Sequence, residues 1–210
     1  MNQTTERRER GRLADPAAIA MAAFALPLFV WSAFNGGFFD FSNETFIIPL
    51  AVFFGGPVAF AAAMWAYHRR DAYLATVAGV FGSFWITYGM LLWLIQNGTV
   101  TEGTASGDLR GLFFAAWAVT FGILWLASMR EHWALSLVTL GAGAMFVLLS
   151  IAYYGDREGF LTAGGWIGFI TAGLTWYTAL AEMLNAEFAR PVLPTDSTWF
   201  ERFRLGTRTR

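Results

Sequence analysis

The side chains able to move a proton, grip a metal or hold an anion are few, and nearly all stand at the margins of long apolar runs. The two histidines, His68 and His132, fall between such runs, and the chain has no cysteine. Neither a thiolate nor a histidine cluster can therefore assemble at depth. No catalytic constellation, metal site or cofactor is expected, and the chain does not read as an enzyme. Glu182 is the carboxylate closest to the interior of an apolar run, with Asn185 just beyond it. Two readings stay open for this pair: a solvated helix end that reaches the interface, or a gating or proton-binding position. Proton carriers commonly relay protons through ionisable groups inside the bilayer. With no deep carboxylate or histidine expected, a fixed relay is unsupported. What remains is a path of Asn35, Ser83 and Thr87, freed backbone amides and aromatic edges, suited to a small anion that passes between weak sites.

The elements that must position these residues are membrane spans. Hydrophobic residues fill 56% of 210 positions and charged ones 14%, where a soluble domain is roughly a quarter charged. Charge-free runs cover 16–39, 45–67, 72–101, 111–129, 133–155 and 159–181, each long enough for a helix of about 20 residues across the bilayer. The fold class expected is all-α integral membrane. Six transmembrane helices form a single bundle over 16–190, between tails at 1–15 and 191–210. Every basic residue is an arginine, and 12 of the 14 fall in the tails and the second and fourth loops. Short basic loops stay cytoplasmic, so both termini are expected there and the protein in the cell membrane, inner or plasma, as a multi-pass protein. Topology and anionic lipid account for these arginines, and a net charge of −1 argues against nucleic acid.

Particular positions refine the picture. Asp15-Pro16 fits a helix start, an acceptor oxygen before a residue whose missing N–H costs nothing there, and a helix end of that kind attracts anions. Pro27 predicts a kink in the first span. Gly55-Gly56-Pro57 in the second span predicts a discontinuous helix with free backbone ends near the midplane; glycines for close packing are the other reading. In the third span Phe81 and Phe84 share a face, with Ser83 and Thr87 on the next. Asn35 is either a cap for its helix end or a donor to an incoming anion. Gly164, Gly168 and Ala172 leave one face of the last span without bulk.

Several stretches resemble the acetate uptake transporter family. Gly165-Trp166-Ile167-Gly168 is followed by Glu182-x-Leu184-Asn185, then by Phe188-x-Arg190-x-Val192-Leu193-Pro194. Earlier come Phe81-Gly82-Ser83-Phe84-Trp85, the aromatic-Gly-Gly at 54–56, and Asn35-x-Gly37-Phe38-Phe39. At the family's Asn-Pro-Ala signature this chain has Asp15, Pro16 and Ala17, so Asp replaces Asn. The resemblance implies passage of acetate and succinate-type small carboxylates through each protomer of a homo-oligomer, a hexamer in bacterial members. It also implies a hydrophobic constriction that includes Phe24 and Phe81, with Ala142 where the family has leucine and hence a wider gap. Asp15, Pro57 and Ala142 depart from the family pattern and keep two further readings open: a non-transporting sensor or scaffold of this fold, or a carrier of another small solute.

Overall fold

The computed structural model describes residues 14–100, 106–129, 133–188 and 190–195. Most of both tails and His132 lie outside them. Six helical spans run through the described residues, each long and apolar enough to cross a membrane. They are α1 (Ala17–Asn35), α2 (Phe41–His68), α3 (Ala72–Gln96), α4 (Ser106–Ser128), α5 (Trp133–Gly155) and α6 (Glu158–Glu187). Residues 14–16 and 190–195 lie at one end of the bundle, the terminal end; the other is the distal end. α1 lies along α6, α5 packs on both α4 and α6, and α2 pairs with α3. Outside, Phe53 (78% exposed), Ile170 (71%) and Val119 (65%) stand bare. Such a surface suits lipid, since water would force it into association.

α2 is irregular but continuous. It starts as a 3₁₀ turn over Phe41–Phe46, becomes α-helical over Ile47–Pro49, widens to a π-helix over Leu50–Gly55 and resumes as α over Gly56–His68. There is no break at Gly55-Gly56-Pro57. The Gly56 N–H reaches back five residues to the Ala51 carbonyl, and Pro57 follows in the first turn of the resumed α-helix, where a missing N–H is tolerated. The glycines are small because neighbours press on them. A Cβ on Gly55 would meet Pro27 of α1 and Trp85 of α3 at 2.9 Å, and one on Gly56 would collide with Ile86. Close packing is thus the reading that the coordinates favour over free helix ends.

The face of α6 without bulk is consumed inside the protomer. A Cβ on Gly164 would stand 3.3 Å from Leu149 of α5, while one on Gly165 would collide with the Gly36 amide and one on Gly168 with Ser32 of α1. Ala172 is fully buried. Here small residues let backbones approach, which is what holds helices together where lipid removes the hydrophobic drive.

Candidate functional site

Rings from four helices meet in the bundle centre. Phe24 of α1 stacks on Phe81 of α3 with centroids 3.9 Å apart, and Phe121 of α4 lies 6.0 Å from the first and 5.6 Å from the second. All three are fully buried. Phe24 and Phe81 are thus brought together, and the third ring comes from α4. Phe146 of α5 stands 5.0 Å from Phe121 and 4.8 Å from Phe84. Two turns further toward the distal end Trp31 is the hub, with Phe84, Trp85, Tyr88, Phe114 and Phe146 between 4.7 and 6.3 Å. Offset and edge-on ring pairs of this kind attract beyond their area. The centre is filled by side chains from Phe24 to Trp31, about 10 Å along α1.

Ala142 of α5 is buried, 1% exposed. Its neighbour Gly143 lies under α4, where an added methyl would stand 3.6 Å from the Phe121 Cβ. Ser83 and Thr87 are not brought to the stack. The Ser83 hydroxyl donates to its own helix at Gly79 O (2.8 Å), and Thr87 is exposed on the outer surface. The reason is angular: Thr87 is six residues from Phe81, about 240° around the helix. Asn35 is buried with its side-chain amide donating to Trp31 O at 3.1 Å, a bond within its own helix end, and its Oδ1 has no partner among the described residues. The pairing with Trp31 O supports the cap reading.

At the terminal end the Asp15 carboxylate accepts from the Ala17 amide (2.9 Å) and from the Arg69 guanidinium (2.8 Å). The negative charge that replaces the family's asparagine is thus offset by an arginine from the α2–α3 turn. Asp15, Asp71, Tyr73, Thr178 and Glu182 line a cleft of about 100 Å³ there, and Glu182 is half-buried. Asn185 is a clamp. Its Oδ1 accepts from the amides of Val192 (2.6 Å) and Leu193 (3.0 Å), its amide donates to Leu193 O (2.9 Å), and Tyr177 donates to Pro194 O (2.8 Å). The exit segment is folded back on α6.

A buried carboxylate that the sequence did not single out stands at the distal end. Glu44, in the 3₁₀ start of α2, is 4% exposed. Its Oε1 accepts from the Trp31 indole N–H (2.9 Å) and from the Tyr88 hydroxyl. Asp40 makes this fold possible locally: its carboxylate accepts from the Ser42 amide at 2.8 Å and caps the turn, a bond that holds the Asp40 carboxyl below its ordinary range. Sequence reasoning missed Glu44 because it stands just outside a charge-free run, where a carboxylate normally meets water. The signal present was its place three residues before an apolar helix, close to Trp31 only once the loop turns inward.

Comparison with known proteins agrees with this architecture. Residues 1–195 match the GPR1/FUN34/yaaH family. Acetate permease A of Emericella nidulans is 30% identical over 202 residues, with 89% of this chain and 67% of the relative covered. Ammonia transport outward protein 3 of Saccharomyces cerevisiae is 27% identical over 176 residues, and the chain spans only 64% of its length. The succinate-acetate/proton symporter SatP of Escherichia coli is 26% identical over 183 residues, 87% of this chain and 95% of the relative. The solved structure of the bacterial acetate channel SatP superposes with a TM-score of 0.82 at 25% identity over 88% of this chain and 99% of that one.

Proposed function

The chain belongs to the GPR1/FUN34/yaaH family, and from that premise we propose that it carries acetate and similar small carboxylates, succinate among them, across a membrane. The path runs inside the protomer along the seam of α1, α3, α4 and α5. The observation that supports this most is the Phe24–Phe81–Phe121 stack, where rings from three helices meet at the point a solute would have to pass. A ring stack without polar side chains bars water and ions when closed and opens by small rotations of the rings. Relatives bear transporter and channel names, so the proposal includes no catalysis. It also assigns the terminal end to the cytoplasm, on the arginine bias, and a homo-oligomeric assembly. The test is uptake of labelled acetate into liposomes that contain the purified protein. Flux above empty vesicles is expected; none would remove the reading.

Two observations favour other readings. The centre is filled over two turns of α1, as a non-transporting sensor or scaffold would have it. The terminal cleft is lined by Asp15, Asp71 and Glu182, which suits a cation or an amine better than an anion, and one relative is named for outward ammonia transport. Methylammonium flux in the same liposomes, with no acetate flux, would support that solute; silence with both would support the scaffold.

A further inference from the structure

Glu44 is a carboxylate withdrawn from water at the distal mouth of the ring stack. Burial of an unpaired ionised carboxylate is costly enough that proteins pair it or neutralise it. Its partners include two ring donors on different helices, Trp31 of α1 and Tyr88 of α3, both aimed at the same oxygen. The Trp31 indole also points at the Tyr88 hydroxyl, 3.1 Å away, so the three groups form one triangle. The charged and titratable groups around it come from every side. Tyr88 is the one from α3; Arg110 of α4 and Tyr153 of α5 lie within electrostatic range of Tyr88, the guanidinium 5.6 Å over the Tyr153 ring. α1 has no ionisable side chain at this level, and Asp40 on the same loop is exposed. A buried carboxyl within a cage of aromatic donors is more than the short loop needs to close.

We propose that Glu44 is a proton-binding gate residue for the carboxylate path. The inference rests on the transport reading above. As a carboxylate, Glu44 holds Trp31 and Tyr88 by hydrogen bonds, keeps the hub ring seated on the stack and presents a negative charge to an incoming anion. A proton taken from solution at the distal mouth removes that charge. If it sits on Oε1, that oxygen becomes a donor, the Tyr88 hydroxyl switches from donor to acceptor and the Trp31 N–H is left with a weaker acceptor; on Oε2 the proton weakens Oε1 as an acceptor for both rings. Either way the hub is loosened and the mouth loses a negative charge in the same step, and loss of the proton to solution resets it. Acid outside thus favours passage without any ionisable group at the midplane.

The experiment compares wild type, Glu44→Gln and Tyr88→Phe in liposomes at a fixed concentration of acetate anion, with external pH varied. Between about pH 8 and about pH 5.5 acetate stays mostly ionised, and one titrating carboxyl can change flux by at most about tenfold per pH unit. Wild-type flux is expected to climb several-fold as pH falls. Glu44→Gln, which keeps the shape and an acceptor oxygen, is expected to be nearly flat. Tyr88→Phe removes a donor to the charged form, which raises the carboxyl's proton affinity, so its profile should move to higher pH with the same steepness. A merely structural Glu44 would change the level of flux or the yield of folded protein but leave the profile in place. Flux in Glu44→Gln with the wild-type pH dependence overturns the proposal while transport stands. If no variant moves acetate, infrared difference spectra between high and low pH still decide it: a protonated-carboxyl band that vanishes in Glu44→Gln supports proton binding, and identical spectra refute it.

Discussion

At the terminal end Asp15 is 45% exposed and paired with Arg69; at the distal end Glu44 is 4% exposed and held by Trp31 and Tyr88. The two carboxylates look alike in sequence, each a few residues before an apolar run. Their surroundings make them opposite devices. An exposed ion pair trades hydration for a contact of similar strength and contributes little, whereas a buried carboxylate makes every donor around it expensive to remove. Stability should therefore concentrate in the distal half of the bundle, around Trp31, and be slight at the ion pair.

Trp31→Ala would test that contrast most severely. The indole touches five rings and donates to Glu44, so its loss is expected to cost about 3–5 kcal/mol of stability, read by denaturant unfolding in detergent. Gly165→Ala forces a methyl into the Gly36 amide of α1 and is expected to cost about 1–3 kcal/mol in the same assay. Asn185→Ala removes three hydrogen bonds to the exit segment; about 1–2 kcal/mol is expected, with faster proteolytic cutting near Val192. Arg69→Ala should change stability by less than about 1 kcal/mol and less still at high salt. If Arg69→Ala proved as damaging as Trp31→Ala, the comparison between the two ends would collapse.

The six spans were legible because lipid allows no charge along about 20 residues, a constraint that leaves its mark in every run. Phe24 and Phe81 were legible through the family resemblance. Phe121 was not, because Phe114, Trp117 and Phe121 at helical spacing read equally well as packing, and only the approach of α4 to α3 decides between them. Thr87 was placed on the path through adjacency to a ring face, although the helix turns it outward. The Gly-Gly-Pro stretch left a break and close packing both open, and a π-helical turn with packed glycines is what forms; propensity marks where a helix is irregular but not which hydrogen bonds replace the lost ones. Glu44 was hidden for a different reason. Burial of a loop carboxylate depends on donors from α1 and α3, distant in sequence, and no local pattern announces them.

We propose the buried ring stack as a gate and not a plug. Acetate flux into liposomes by Phe81→Ala, measured beside wild type and Thr87→Ala, tests it most directly. Truncation of a ring that bars the path should raise flux by about tenfold, which corresponds to roughly 1.4 kcal/mol off the barrier, while the outward-facing Thr87→Ala leaves it unchanged. A folded Phe81→Ala protein with flux at or below the wild-type level would contradict the account.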